Sequence, residues 1–416
     1  MAELIEIGEQ QERVILFAAS TNASDDTEES VEELRELVKT AGAETVGVVI
    51  QNRENIHPGT YLGKGKIQEL KEMVWESGAT GVVCDDELSP AQLKNLEDAL
   101  DTKVMDRTMV ILDIFASRAR TREGKIQVEL AQLRYRAVRL VGLRNSLSRR
   151  GGGIGTRGPG EKKLEVDRRL IHERISQLKS ELEDVKRHRE VVRKKRENGG
   201  ALTAAIVGYT NAGKSTLLNR LTQAGILAED KLFATLDPTT RALTLPGGER
   251  VLLTDTVGFI RKLPHHLIEA FKSTLEEAKY SDVILHVVDC SNPQMDMQMH
   301  VVYETLRQLE ITDKEIVTVF NKIDREGADT AGRDMAADYR VKISAKTGEG
   351  LPDLLGVLET ILRSRRIYFE KVFSYAEAGR IQRIRKNGRL LSEEYKEDGI
   401  HVTAYVPVEL FEELYR

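Results

Sequence analysis

The pattern of hydrophobic and polar positions divides the chain into four stretches. Residues 13–115 alternate short apolar runs with amphipathic stretches, which predicts a small α/β domain with a mostly parallel sheet. Residues 120–197 place apolar residues at alternating spacings of four and three, which predicts two long helices. Residues 201–365 return to alternating strands and helices, and residues 366–416 carry a mixed pattern typical of a small α+β domain. The predicted domains are 1–118, 119–199, 200–365 and 366–416.

Each of the two long helices has one narrow apolar seam that it cannot bury alone. Packing the two seams together predicts an antiparallel helical hairpin. The glycine-rich connection SRRGGGIGTRGPGEKK, Ser148–Lys163, is then a flexible loop at the hairpin tip. The seam residues are Ile126, Leu130, Leu133, Ala137, Leu140 and Leu147, followed by Ile171, Ile175, Leu178, Leu182, Val185 and Val192.

The run GYTNAGKS at Gly208–Ser215 fits the phosphate-binding loop GxxxxGK[ST]. It follows an apolar strand and opens the helical run STLLNRL, which is the context that the loop requires. Backbone amides and the helix N-terminus would hold the phosphates, Lys214 would contact the β and γ oxygens, and the Ser215 hydroxyl would bind Mg²⁺. The predicted contacts are Gly208, Tyr209, Thr210, Asn211, Ala212, Gly213, Lys214, Ser215 and Thr216.

A second motif selects the nucleotide, because NKID at Asn321–Asp324 follows the apolar strand IVTVF. The Asp324 carboxylate can accept hydrogen bonds from N1–H and the 2-amino group of guanine, which adenine does not offer. Asn321 would hold the loop and face the other edge of the purine, and the Lys322 stem would lie along the base. After the next strand, Ser344-Ala345-Lys346 would bring the Ala345 amide to guanine O6; the predicted contacts include Ile323, Ser344 and Lys346.

The γ-phosphate sensor is predicted at Asp255-Thr256-Val257-Gly258, directly after the strand VLLT. Asp255 would hold Mg²⁺ through water, and the Gly258 amide would contact the γ-phosphate. The segment LFATLDPTTR lies between the phosphate loop and this strand, and one of its threonines should close over Mg²⁺. Spacing does not separate Thr235, Thr239 and Thr240.

The sequences GYTNAGKSTL, LFATLDPTTR and DTVGFIRKLPH together resemble the HflX GTPases, a ribosome-associated family within the translation-factor class. The loop GGGIGTRGPGEKKLE agrees with that resemblance, which covers roughly residues 10–365. The family's FAT threonine matches Thr235 and implies it as the second protein ligand of Mg²⁺. The catalytic residues so implied are Lys214, Thr235 and Gly258, and the neighbouring nucleotide contacts are Phe233, Ala234, Leu236 and Asp237.

Phe259 occupies the position where many GTPases carry a glutamine that orients the attacking water. A phenyl ring cannot make those hydrogen bonds, so we expect slow intrinsic hydrolysis that a partner stimulates. His265 and His266 lie seven or more residues after Gly258 and are of a type suited to a general base, although a solvent-facing helix is the favoured interpretation.

Positive charge is concentrated in the predicted hairpin. Between Leu133 and Arg169 eleven basic and three acidic residues give a net charge of +8, in a chain whose net charge is −5. Such polarity indicates a polyanion partner, with a solvated linker as the alternative. The family resemblance implies contact with the peptidyl-transferase region of the large ribosomal subunit; the RNA-binding candidates are Arg149, Arg150, Arg157, Lys162 and Lys163.

Other features limit the functional classes. Cys84 and Cys290 form no CxxC pair, which disfavours disulfides and zinc and suits a reducing cytoplasm. The apolar runs are too short to span a membrane, so we expect no stable membrane association, and nothing demands more than a monomer. The run HPGTYLGKGK at 57–66 is one residue short of a second phosphate loop and is interpreted as a surface loop.

The leading hypothesis is a Mg²⁺-dependent GTPase that cycles between GTP and GDP and binds the large ribosomal subunit and its rRNA. The resemblance implies that it splits or rescues stalled or stressed ribosomes. One alternative is a ribosome-assembly or RNA-remodelling GTPase that acts on large-subunit precursors. Another is a regulator whose basic loop binds other RNA or an anionic membrane.

Overall fold

The computed structural model describes residues 11–21, 26–148, 159–197, 202–222, 232–264, 267, 275–328 and 332–415. The chain forms two compact units. The first comprises 1–184, 229–237 and 260–273, and the second comprises 185–228, 238–259 and 274–416. Residues 229–237, which follow the phosphate loop in sequence, and residues 260–273, which follow the DTVG motif, thus belong to the first unit. The division into four domains stays a prediction.

The first unit contains a four-stranded parallel sheet in the order β2-β1-β3-β4. Its central strand β1 is apolar and buried over six consecutive residues, as a strand covered on both faces must be. Helix α3 begins with a capping box between Ser89 and Gln92 and with Pro90 at its first position. The bounds are β1 Arg13–Ser20, α1 Thr27–Thr40, β2 Glu44–Asn52, α2 Lys64–Ser77, β3 Gly81–Cys84, α3 Pro90–Leu100, β4 Lys103–Asp106 and α4 Arg107–Arg118.

Two long helices follow, α5 (Arg122–Ser148) and α6 (Pro159–Glu197). Their seams form one apolar cluster around Ile126, Leu130, Ile175 and Leu178. Arg122 pairs with Glu181 at 3.9 Å and Arg174 pairs with Glu129 at 2.8 Å, so the helices run antiparallel. We refer to this hairpin as the arm.

The tip loop of the arm was predicted to extend to Lys163, which is too far along the chain. Because α6 already begins at Pro159, Lys162 and Lys163 belong to the start of this helix and not to the loop. Proline suits the first helical position, since the amide that it lacks would have no partner there. Arg149, Arg150 and Arg157 lie outside the described residues.

The second unit contains a six-stranded sheet in the order β10-β9-β8-β5-β7-β6. Its strands are parallel except β6, which runs antiparallel to β7 at one edge. The sequence did not predict β6, whose residues include Thr239 and Thr240. The bounds are β5 Leu202–Gly208, α7 Lys214–Thr222, β6 Thr239–Thr244, β7 Arg250–Asp255, β8 Val283–Asp289, α8 Met295–Gln308, β9 Glu315–Asn321, β10 Tyr339–Lys342 and α9 Leu351–Ser364.

A three-stranded antiparallel sheet, ordered β11-β13-β12, completes the second unit. It has its own apolar core, which includes Phe369, Phe373 and Ile384. The α+β character predicted for the tail is confirmed. No helix within the described ranges is long and apolar enough to cross a membrane. The bounds are β11 Arg366–Phe373, α10 Ala378–Asn387, β12 Arg389–Lys396, β13 Gly399–Pro407 and α11 Val408–Tyr415.

Candidate nucleotide site

The phosphate-binding loop connects the end of β5 to the start of α7, as its motif requires. Asn211 and Gly213 both have positive φ, at 61° and 97°. Glycine is needed at 213 for a second reason, because a Cβ there would overlap the amide nitrogen of the Asn321 side chain. The loop backbone is therefore curved around the start of α7 and held closely against Asn321. We refer to the region around Asn321, Asp324 and Ala345 as the base-binding corner.

The Lys214 side chain is folded into the loop that it belongs to. Its Nζ donates to the carbonyl of Tyr209 at 2.7 Å and to that of Gly208 at 3.2 Å. Burial lowers the pKa of Lys214 to about 8, although nearby Asp255 favours the charged form. Phosphate oxygens would replace these carbonyls with full negative charges, so the ammonium has both the reach and the electrostatic reason to bind them.

Ser215 and Asp255 are adjacent, as a Mg²⁺ site requires. The Ser215 hydroxyl donates to Oδ2 of the fully buried Asp255 at 2.7 Å. A hydroxyl and a carboxylate are oxygen donors that suit Mg²⁺, which keeps most of its ligands as water and phosphate. Nearby in sequence, the buried Thr210 hydroxyl makes no hydrogen bond with the described residues. This donor set fits a Mg²⁺–nucleotide complex.

Backbone pairing joins the DTVG segment to the phosphate loop. The amide of Thr210 donates to the Phe259 carbonyl at 2.7 Å, and the amide of Phe259 donates to the Gly208 carbonyl at 3.1 Å. A Cβ at Gly258 would lie 2.9 Å from both Lys214 Nζ and the Thr210 Cα, so no side chain fits there. The Phe259 ring is 2% exposed and thus belongs to the core instead of facing solvent.

The base-binding corner is organised by the buried Asn321 side chain. Its Nδ2 donates to the Ala212 carbonyl in the phosphate loop at 2.8 Å. Its Oδ1 accepts from the Ala345 amide at 2.9 Å. This differs from the predicted use of the Ala345 amide, which here holds Asn321 and is not left unpaired for guanine O6. One amide thus links three segments that the sequence predicted separately.

Asp324 is exposed, as a residue that contacts the edge of a base should be. A hydrogen bond from Ser344 lowers the pKa of the Asp324 carboxyl below its ordinary value. The carboxylate therefore stays ionised and oriented, ready to accept two hydrogen bonds from guanine. Ser344 itself is fully buried, which explains why its side chain acts on Asp324 and not on solvent.

Sequence reasoning missed Asp289, the last residue of β8. Its Oδ2 accepts from Lys322 Nζ at 2.6 Å, and its Oδ1 accepts from the Ser291 hydroxyl at 2.6 Å. The pair with Lys322 is largely buried and holds the lysine side chain across the base-binding corner. An acidic residue ending the buried run ILHVVD was the available signal, since the carboxyl ends of parallel strands share one edge.

Four residues predicted to contact the nucleotide are buried or have protein partners in this structure. Phe233 is buried with its ring centroid 4.7 Å from that of Phe115, and Leu236 is buried as well. The Thr256 hydroxyl donates to the Ile206 carbonyl at 2.7 Å, so it stabilises the sheet. Asp237 accepts hydrogen bonds from Arg120 and Thr121 in the first unit.

The other predicted contacts differ in burial and in the unit to which they belong. Ala234 and Thr235 are half-buried members of the first unit, while Ser215 belongs to the second, so the Thr235 ligand assignment stays a prediction. Tyr209 and Val257 are buried, and Thr216, Ile323 and Lys346 are at least partly accessible. His265 and His266, predicted to lie on a solvent-facing helix with a general base as the alternative, are outside the described residues.

The chain immediately after Phe259 is anchored in the first unit by charge. Lys262 Nζ lies 2.6 Å from Oδ2 of Asp85 and 2.7 Å from Oδ1 of Asp86. Arg107, which is almost fully buried, donates to Asp85 at 2.9 Å and to the Arg261 carbonyl at 3.3 Å. Burial alone would raise the pKa of Asp85, but Arg107 and Lys262 lower it below its ordinary value.

Comparison with known proteins places this site in a family. Three family profiles match in succession: a GTP-binding GTPase N-terminal region at 28–116, a GTP-binding GTPase middle region at 118–196, and a 50S ribosome-binding GTPase at 203–322. A GTPase HflX from Lacrimispora saccharolytica is 75% identical over 414 residues, covering 100% of this chain and 98% of the relative. The chain belongs to the HflX family of GTPases. The resemblance predicted from its motifs is confirmed, and so is its assignment as a GTP hydrolase.

Two more distant matches cover most of the chain. A GTPase HflX from Caldanaerobacter subterraneus subsp. tengcongensis is 50% identical over 409 residues, covering 98% of this chain and 94% of the relative. A crystal structure of a GTP-binding protein from Sulfolobus solfataricus, in complex with GDP, is 24% identical and has a TM-score of 0.46. It covers 85% of this chain and 99% of its own.

Proposed function

We propose that this HflX GTPase binds the large ribosomal subunit when GTP is bound, and that it splits or rescues stalled or stressed ribosomes in the cytoplasm. The observation that carries the proposal is the pairing of a guanine-specific site with the strongly basic arm. The match of residues 203–322 to a family described as 50S ribosome-binding supports the same partner.

The described part of the arm has a surface suited to RNA. Arg136, Arg168 and Arg169 are exposed, and the neighbouring Val138, Val166 and Leu170 are 64%, 46% and 53% exposed. Cations next to accessible apolar groups bind phosphates and also pack against sugars and bases. By sequence, the tip continues this charge with Arg149, Arg150 and Arg157, and the first residues of α6 add Lys162 and Lys163.

The nucleotide would be held by the groups already described. Lys214 would contact the β- and γ-phosphates, and Ser215 and Asp255 would hold Mg²⁺. Mg²⁺ would neutralise charge on the transferred phosphoryl group. Of the three candidate threonines, Thr239 and Thr240 are members of β6, and the Thr240 hydroxyl lies 2.9 Å from that of Thr254. This favours Thr235 as the ligand that responds to the γ-phosphate, together with the Gly258 amide.

The buried Phe259 ring supports slow hydrolysis by the isolated protein, because it cannot orient water. We expect the large subunit to supply the missing interaction, so that added subunits raise the rate of GTP hydrolysis. The experiment compares this stimulation for the natural protein and for a variant with Arg149→Ala, Arg150→Ala and Arg157→Ala. We expect the variant to lose most of the stimulation. The slope of log affinity for the subunit against log salt concentration should also become shallower by about 2 to 3, since each phosphate contact contributes roughly 0.7–0.9.

A matched control removes three exposed arginines elsewhere, Arg35, Arg363 and Arg380. Each has an acidic partner three or four residues away, and each lies outside the arm. We expect this control to retain stimulation and salt dependence. Equal losses in both variants would point to net charge alone, and rapid hydrolysis without ribosomes would contradict the role assigned to Phe259. Preference for precursor particles over mature subunits would favour an assembly role.

A further inference from the structure

Asp237 makes contacts that its place in the nucleotide-binding segment did not predict. Its Oδ2 accepts from the backbone amides of Arg120 and Thr121, each at 2.9 Å. Its Oδ1 accepts from the Thr121 hydroxyl at 2.5 Å. All three donors lie directly before α5, the first helix of the arm.

Through these contacts Asp237 holds Thr121, the residue that caps the arm helix. The Thr121 hydroxyl oxygen accepts from the Gly124 amide at 2.9 Å, and its carbonyl accepts from the Lys125 amide at 3.0 Å. Amides at a helix start have no partner within the helix, and a negative charge there is favourable to the helix dipole. A Cβ at Gly124 would overlap the Asp237 carboxylate, so the first turn of α5 has room for Asp237 because glycine is there.

Chain connectivity ties this cap to the nucleotide site. Pro238 and Thr239 follow Asp237, and Thr239 begins β6 as the register partner of Asp255 in β7. On the other side only Leu236 separates Asp237 from Thr235. We expect a movement of Thr235 toward Mg²⁺ to displace the Asp237 carboxylate, because one residue separates them in the chain.

We propose that Asp237 is a positioning residue that fixes the start of the arm according to the bound nucleotide. With GDP, Asp237 caps α5 and holds the arm helix at its base. With GTP, Thr235 moves to Mg²⁺, the carboxylate leaves Arg120 and Thr121, and the base of α5 is released. The inference rests on the proposed function in one respect, namely that the orientation of the arm controls binding to the large subunit.

The test is hydrogen exchange of the full chain, with GDP and with a non-hydrolysable GTP analogue, followed in peptides that cover residues 120–128. We expect exchange in this region to be about fivefold faster or more with the GTP analogue, the size expected when a capping group is lost. Asp237→Ala should make exchange fast with both nucleotides and abolish the difference. Asp237→Asn, which keeps one acceptor oxygen, should give an intermediate difference.

Ser89→Ala is the matched control. Ser89 caps α3 by accepting from the Gln92 amide, and it belongs to the same unit as Asp237. This variant should speed exchange at the start of α3 and leave the nucleotide dependence at 120–128 unchanged. A purely structural cap would show equal exchange with both nucleotides, which would overturn the proposal. So would a nucleotide-dependent difference that survives in both Asp237 variants.

The exchange measurement contains no ribosomes, so its outcome is independent of the proposed function. If exchange at 120–128 responds to the nucleotide but large subunits do not bind, the proposed function fails and the role of Asp237 stands. If subunits bind with GTP preference but Asp237→Ala retains that preference and the exchange difference, the role of Asp237 fails alone.

Discussion

Asn321 and Asp324, the residues predicted to recognise guanine, differ in exposure: the first is a buried amide and the second an exposed carboxylate. The Asn321 side chain donates to the Ala212 carbonyl and accepts from the Ala345 amide, so it holds the two loops of the site together. Asp324 is left accessible and ionised to contact the base edge. The two residues are three apart in sequence but have different chemical tasks, and only the second selects the nucleotide directly.

Asp324→Asn should change the base specificity of the site from guanine to xanthine. The variant amide offers one donor, which suits the 2-oxo group of xanthine and opposes the 2-amino group of guanine. We expect GDP affinity to fall by about 100-fold or more, as when a site built for a hydrogen bond loses it, while xanthosine diphosphate gains affinity. Nucleotide titration calorimetry measures both.

Asp313→Asn is the control for this substitution, because Asp313 is an exposed carboxylate in the same unit. It should leave both affinities unchanged. If the Asp324→Asn variant still prefers GDP to xanthosine diphosphate, the assignment of Asp324 as the acceptor for guanine is contradicted.

Residues whose role depends on local backbone were predictable from sequence. Gly213, Lys214 and Ser215 act within a single loop, so their spacing carried the information. Asp289 and Asp237 could not be predicted in the same way. Their partners, Lys322 and Thr121, are 33 and 116 residues away, and no local pattern specifies such contacts.

At the scale of elements, the segment after DTVG is held by an ion-pair network at the carboxyl end of β3. Asp85 is fully buried and receives both Arg107 and Lys262. In a parallel α/β sheet this edge, next to the point where strand order reverses, is where ligands commonly bind. Here the position is taken by a lysine of the chain itself, four residues after Gly258.

Lys262→Met should loosen the first unit locally. Asp85 would keep Arg107 but lose one of its two cations, and Lys262 is 38% exposed, so solvent screening reduces the effect. We expect a loss of about 1–2 kcal/mol in local opening free energy, less than the 3–5 typical of breaking a fully buried pair. Hydrogen exchange of β3 and of residues 260–264 measures it.

Lys103→Met provides the comparison, since Lys103 pairs with Glu12 at the exposed end of β4 in the same unit. Exposed ion pairs contribute little to stability, so Lys103→Met should change hydrogen exchange in β3 less than Lys262→Met does. Indistinguishable effects of the two substitutions would show that the Asp85 network does not hold this segment.

Most elements followed from hydrophobic periodicity, and the exceptions have physical reasons. The buried strands β5, β8 and β9 are nearly continuous apolar runs, and they lie where the alternating pattern of residues 201–365 predicts strands. Strand β6 was missed because TTRALT is an edge strand with mostly polar residues. The start of α6 was placed late because the glycines around Pro159 suggested a loop.

For the whole molecule, the decisive contrast is between an acidic chain and a basic arm. The chain carries a net charge of −5, yet residues 133–169 carry eleven basic and three acidic side chains. A polyanionic partner is therefore attracted to one element and not to the protein in general. In the proposed function the GTP site controls that attraction, since only segments that respond to the γ-phosphate distinguish the two nucleotide states.

The most direct test of this account is co-sedimentation of the protein with large ribosomal subunits, mature ribosomes and precursor particles. Each mixture is compared with a non-hydrolysable GTP analogue and with GDP at the same salt concentration. We predict binding to mature large subunits at least about tenfold tighter with the GTP analogue, a coupling of roughly 1.4 kcal/mol. Equal binding with both nucleotides, or no binding to large subunits, would contradict the central claim.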